Sequence, residues 1–195
     1  CKVTTITISQ AQYDEAVARV SAAGLTHRID VQLKDYRLLE GKFDKLVSIE
    51  MIEAVGEQYL PTYFRKCREL LKPNGLALIQ AITIEDARYQ KALKTIDYIK
   101  RYIFPGSFIP CISVMTQAAS EQKLRLKQLD DIGQSYATTL HCWRERFLAQ
   151  LDAVRALGFD DEFIRMWDFY LCYCEGGFKE GVISDVHLLF EANPY

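Results

Sequence analysis

Apolar positions follow two different rhythms along these 195 residues. In the first half, short apolar runs alternate with amphipathic stretches. Residues 3–8 (VTTITI) are β-branched throughout and predict a buried strand. Ser9 is placed to cap the helix that follows, which carries Ala16, Val17 and Val20 and closes at Gly24. Residues 29–33 predict a second strand and residues 43–49 (FDKLVSI) a third, with a helix over 59–71 after it. Lys72-Pro73-Asn74-Gly75 makes a turn, and residues 76–82 (LALIQAI) form a nearly all-apolar fourth strand. Apolar strands separated by helices imply a parallel sheet covered on both faces.

The second half is helical in period. Residues 104–110 (FPGSFIP) are a loop punctuated by Pro and Gly. A helix over 138–157 repeats Leu140, Trp143, Phe147 and Leu151, and one over 160–178 repeats Phe163, Trp167, Tyr170 and Cys174. Residues 182–190 (VISDVHLLF) predict a last strand at the sheet edge. The expected architecture is one α/β domain over 1–195, doubly wound and mostly parallel, with a helical insertion at about 88–150.

A net charge of −2 argues against a nucleic-acid partner. No apolar run approaches 18 residues, so a membrane-spanning helix is not expected, while surface contact with a membrane stays open. The six cysteines include one C-x-C pair and no C-x-x-C, and there are three histidines. That pattern predicts no metal site and reduced thiols in a cytoplasmic protein.

Doubly wound sheets bind ligands at the carboxyl ends of their strands. Four places qualify: Thr7-Ile8-Ser9, Asp35-Tyr36, residues 50–53 and residues 80–82. Asp35 and Tyr36 could give a nucleotide-like ligand a polar partner and an aromatic wall. Glu50 and Glu53 follow directly on a buried strand, where a carboxylate can take a proton. The plainer alternatives are helix capping and an acid favoured by a helix dipole.

Five segments, in order, resemble the cyclopropane-fatty-acid and mycolic acid cyclopropane synthases: SIEMIEAVG, LKPNGLALIQAITI, IKRYIFPGSFIP, SYATTLHCWRERF and FYLCYCEGGF. The resemblance runs from Lys2 to Phe190. It implies a Rossmann-like, S-adenosylmethionine-dependent methyltransferase fold. The implied reaction transfers a methyl to the cis double bond of a phospholipid acyl chain, after which loss of a proton closes a cyclopropane ring. By position, Thr7, Ile8, Ser9 and Gln12 look like contacts to S-adenosylmethionine, with Asp35 and Tyr36 beside its adenine. Glu53, Gln80, the Ile82 amide and Tyr136 resemble the cage of a bicarbonate ion that takes the proton. Glu53, Tyr136 and Cys174 are the implied catalytic residues, although Cys174 also sits on an apolar helical stripe where a cysteine packs as a small hydrophobe.

Many family members carry a His where Gln80 stands and another where Ala54 stands, and glutamine cannot relay a proton near neutral pH. The family's glycine-rich cosubstrate loop is expected before residue 1, so the chain reads as a C-terminal portion, inactive and poor at binding S-adenosylmethionine by itself. The implied partners are membrane phospholipids met by peripheral contact, and a homodimer is compatible with the resemblance. A helix over 88–103, with Leu93, Ile96, Ile99 and Ile103 on one side and Lys91, Lys94 and Arg101 elsewhere, could lie on anionic lipid or be a solvated face on a core helix. Three other functions stay open: methyl branching of fatty acids, methylation of a small soluble acceptor, and a non-catalytic domain that binds lipid or a partner.

Overall fold

The computed structural model describes residues 1–193, which fall into two compact units, residues 1–42 and the residues from 43 onward. The first unit is one strand–helix–strand repeat: β1 (Val3–Thr7), α1 (Gln10–Ala22) and β2 (Ile29–Leu33), followed by a 3₁₀ turn at Tyr36–Leu38. β1 and β2 pair in parallel, with Thr7 opposite Leu33. Ser9 caps α1 as expected, its Oγ accepting from the Gln12 N–H at 3.3 Å. Gly24 adopts φ +66°, the left-handed conformation that ends a helix at little cost when no Cβ is present.

In the second unit β3 (Phe43–Ile49) leads through two short 3₁₀ turns to α2 (Leu60–Leu70) and β4 (Leu71–Ile84). After α3 (Asp86–Lys94) and a π-helical turn at Ile99–Ile103 come α4 (Ile112–Glu121) and β5 (Leu124–Asp131). The remaining elements are α5 (Gly133–Leu148), α6 (Leu151–Ala156), α7 (Asp161–Lys179) and β6 (Ile183–Ala192). The four strands lie in the order β3-β4-β6-β5. β3 and β4 are parallel, and β6 runs antiparallel to both of its neighbours.

Alternation along the strands separates two faces. On one, Ala77, Ile79 and Ala81 of β4 and Val186, Leu188 and Phe190 of β6 are wholly buried. α2 covers this face because its apolar residues Leu60, Tyr63, Phe64 and Cys67 recur at helical spacing. Phe64 meets Phe190 edge to face at 5.9 Å, and Tyr63 donates to Ser48 at 2.8 Å. Each such fully buried ring contributes about 1.5–3 kcal/mol. The other face carries Gln80 and Ile82. Here Ala137 and Leu140 of α5 pack with Leu171 and Phe178 of α7, and Ile82, Tyr136, Trp167, Tyr170 and Cys174 close around them.

Several expectations change. The predicted edge strand is interior: β6 lies between β4 and β5, and the sheet is mixed. β5 was not expected at all. Of its eight residues Leu124 alone is buried, so an exposed strand rich in charge left no apolar run to read. The turn at 72–75 is a bulge within β4, where the register to β3 shifts between Phe43 and Lys45. The single helix expected over 88–103 breaks after Lys94. Thr95 is extended, its hydroxyl bonds back to the Lys91 carbonyl at 2.8 Å, and the Lys100 ammonium caps the Ala92 and Thr95 carbonyls. The helix expected over 138–157 starts earlier, at Gly133, and is interrupted between α5 and α6.

Candidate functional site

β3 stops at Ile49, opposite Gln80, while β4 continues to Ile84. The chain turns away at Glu50, a non-glycine residue at φ +47°, whose N–H still reaches the Gln80 carbonyl at 3.0 Å. Beyond that point the Ile82 N–H has no strand beside it. Glu53, in the 3₁₀ turn at Ile52–Ala54, takes that place, and its Oε1 accepts from the Ile82 N–H at 2.7 Å. Burial pushes the Glu53 carboxyl up from 4.5 to about 7. The Glu53 and Ile82 amides oppose that shift, and the nearby Glu50 charge adds to it. Its Oε2 is buried without a hydrogen-bond partner among the described residues.

Gln80 is the hub beside it. Its Nε2 lies 3.0 Å from Glu50 Oε1, 3.1 Å from the Tyr136 hydroxyl and 3.1 Å from Asp185 Oδ2. Its Oε1 lies 3.1 Å from His187 Nε2. Tyr136, on the first turn of α5, donates to Glu50 and stacks on Phe178 at 5.3 Å. Burial, reinforced by that bond to Glu50, pushes the phenol above its ordinary range, so it stays protonated. Asp185 is fully buried, and burial together with a shared hydrogen bond to Glu50 raises its carboxyl. Two amide protons cannot serve three acceptors. Burial favours the uncharged form of Asp185, which eases that shortage.

α5 reaches this spot through a close approach. A Cβ on Gly133 would fall 2.2 Å from Ser184 Oγ, so any other residue there would displace Ser184 or the start of the helix against β6. The Gly133 N–H is held by Asp131 Oδ1 at 2.9 Å, which also accepts from Ser184. Tyr136 follows within one turn.

Of the expected residues, Glu53, Gln80, Ile82 and Tyr136 are brought together at the ends of β3 and β4. Cys174 is not in their hydrogen-bond network. It packs against the α5–α7 cluster, and burial pushes its thiol to about 12, which keeps it an uncharged thiol. The remaining expected residues belong to the first unit. There the carboxyl ends of β1 and β2 lie side by side, with the Lys34 N–H on the Thr7 carbonyl at 2.9 Å. Thr7 donates to Gln12 at 2.7 Å and accepts from the Ser9 N–H at 3.1 Å, while Ile8 is 79% exposed. Asp35 is engaged by Arg37 through both oxygens, at 2.9 and 2.6 Å, and that bonding holds its carboxyl below the ordinary range. Asp185 and His187 were not foreseen. The available signal was an acid and an imidazole spaced by two in a largely apolar strand.

An anion such as bicarbonate fits the donor set. The Tyr136 hydroxyl, the Gln80 amide and the Ile82 N–H are donors engaged here by the Glu50, Asp185 and Glu53 carboxyls, whose place an anion would take, and a protonated Glu53 would add a further donor. For S-adenosylmethionine the paired strand ends of the first unit supply hydroxyl, amide and carboxylate groups beside the exposed apolar Ile8.

Comparisons with known proteins bear on the family and the fold. The sequence profile of the family described as mycolic acid cyclopropane synthetase matches residues 1–188. A tuberculostearic acid methyltransferase of Mycobacterium tuberculosis is 40% identical over 93% of this chain and 43% of its own length. A cyclopropane-fatty-acyl-phospholipid synthase of Escherichia coli is 34% identical over 91% of this chain and 44% of its own length. The chain thus spans less than half the length of these two relatives. Among solved structures, a mycolic acid cyclopropane synthase complexed with SAH and CTAB superposes with a TM-score of 0.88 at 23% identity, covering 97% of this chain and 70% of that one. The fold is therefore that of the Rossmann-like class of methyltransferases dependent on S-adenosylmethionine.

Proposed function

The chain belongs to the mycolic acid cyclopropane synthetase family, and from that premise we propose that it serves a lipid-directed methyltransferase that adds one carbon to cis double bonds of phospholipid acyl chains. The observation that carries this reading is Glu53, a buried carboxyl poised near pH 7 that takes the Ile82 N–H beyond the end of β3 on one oxygen and has the other unpartnered among the described residues.

S-adenosylmethionine, when bound, supplies an electrophilic methyl group, and bicarbonate supplies a base. The alkene's electron pair forms the new carbon–carbon bond as the carbon–sulfur bond breaks toward sulfur. The cation left on the chain then loses a proton from the added methyl, and the ring closes. The residues of this chain have three tasks in that sequence. Gln80, Tyr136 and the Ile82 amide would hold the bicarbonate, and Glu53 would fix its orientation through its own proton. Tyr136 stays a donor because its phenol does not ionise near neutral pH. The rings of Tyr136, Trp167, Tyr170 and Phe178 on the same side of the sheet suit an apolar chain and a transient cation. Burying an acyl tail gains about 0.8 kcal/mol per CH₂.

A methyl-branched product is the second reading, favoured by the 40% identical relative named for tuberculostearic acid. Peripheral membrane contact belongs to the same proposal. Ile96, Tyr102 and Phe104 are exposed around the π-helical turn, near Lys91, Lys94 and Arg101 in sequence.

Mass spectrometry of fatty acids from cells expressing the gene that encodes this chain is the test, with the Glu53→Gln and Tyr136→Phe forms beside it. Monounsaturated chains should gain one CH₂. A ring leaves no double bond and no branch, whereas a methyl branch selects the second reading. Each variant should lower turnover by about 10²-fold, as expected on losing a general acid–base group. Methylation of a soluble metabolite with no acyl mass gain overturns the lipid assignment.

A further inference from the structure

His187 and Asp185 stand two residues apart on β6, so both side chains leave the same face of the strand. In register, His187 lies opposite Gln80 and Asp185 opposite Ile82. The pair grips Gln80 from both ends, at 3.1 Å from Oε1 and 3.1 Å from Nε2. An amide oxygen only accepts, so His187 must present an Nε2–H. The flipped amide would turn its oxygen toward Glu50 and Asp185 and lose its two donated hydrogen bonds to them.

Stability does not account for Asp185. It is 0% exposed, its Oδ1 has no hydrogen-bond partner, and it forms no ion pair among the described residues. A carboxyl kept in such a place lowers stability, a cost often found where function demands it.

The geometry points to His187 and Asp185 as positioning residues that hold the Gln80 amide so that its Nε2 meets Glu50 and Tyr136. This rests on reading the Gln80 cluster as the reactive site. The two residues touch no substrate; they act through Gln80.

Four variants of the enzyme expressed from its own gene test the assignment. Asp185→Leu should lower kcat by about tenfold or more, the scale of a misplaced reactive group. It should leave KM for S-adenosylmethionine unchanged and hold or raise the thermal midpoint. Asp185→Asn, which keeps an acceptor oxygen, should retain most of the turnover. His187→Leu should lower kcat in the same way, and His187→Gln, whose amide can donate, should restore it. A purely structural role would make turnover follow the thermal midpoint instead. A second readout does not depend on activity. The Gln80 side-chain NH₂ resonances should be dispersed and protected from exchange in the wild type and should lose both properties in the two Leu variants. If the wild type methylates no acyl chain, the functional reading fails, and these resonances still decide the positioning claim. Unchanged turnover in both Leu variants, turnover that tracks midpoint in all four, or unchanged Gln80 resonances overturns it.

Discussion

Glu53 keeps its proton to about pH 7, and that fixes the sign of one pH response. In the unfolded chain the same carboxyl ionises near 4.5. Between those values the folded state binds more protons than the unfolded one, so stability falls as pH rises through the window. The loss reaches about 3 kcal/mol once both states are ionised. In the Glu53→Gln form an uncharged amide can still accept from Ile82, so its own contribution should be flat. Urea midpoints at pH 5 and pH 8 check this: the wild type should lose more stability than the variant, and equal losses would place the Glu53 proton elsewhere. Asp185 is raised as well and steepens both curves, somewhat more in the wild type, where the Glu53 charge adds to its shift. Residues of this kind were partly legible in the sequence. Glu53, Gln80, Ile82 and Tyr136 lie in segments whose order resembles a known family. Asp185 and His187 owe their place to a pairing between strands about 100 residues apart, which no local pattern encodes.

At the scale of elements, legibility followed apolar patterning rather than burial: the strands expected to be buried over 3–8 and 43–49 form, yet no residue of β1, β2 or β3 is buried. β1, β2, β3 and α2 could be read because their apolar residues keep one period and end at turn residues. β5 could not, since a charged strand with one buried residue has the composition of a loop. The interior place of β6 was missed for a related reason: a strand late in the sequence gives no local sign of which neighbours it will find. α5 shows how much an element's position depends on one residue. Gly133→Ala would drive a methyl against Ser184, so the Ser184 hydroxyl or the start of α5 must shift, and a shift of α5 would carry Tyr136 away from Glu50 and Gln80. Turnover should drop at least tenfold, the usual result of moving a reactive group by about 1 Å. Removing the obstructing hydroxyl in Gly133→Ala/Ser184→Ala should recover part of it. A double variant no better than the single one, in a kcat assay, would locate the strain elsewhere.

For the whole molecule, the membrane contact proposed above is one made at the surface. No helix among the described residues is long and apolar enough to cross a membrane. The segment around the π-helical turn joins exposed apolar groups to cations, and Arg101 lies 5.6 Å from the Tyr102 ring centre. Each cation near an anionic surface contributes about 1 kcal/mol. Co-sedimentation should therefore favour phosphatidylglycerol vesicles over phosphatidylcholine and weaken with salt. Replacing Lys91, Lys94 and Arg101 by Gln should cost about 3 kcal/mol, or roughly hundredfold in binding; salt-insensitive binding would remove electrostatics from the account. The strand order has one more consequence, and it concerns time. β4 waits for β6, which is made about 100 residues later. At roughly 5–20 residues per second that is about 5–20 s on a ribosome. Throughout that interval β4, with Leu78, Ile79, Ala81 and Ile82 along it, keeps one edge unpaired, and such an edge is a template for association with other nascent chains. The site and the protection of the sheet are completed by the same late strand, so slow translation between β4 and β6 prolongs both the lack of activity and the exposure to aggregation.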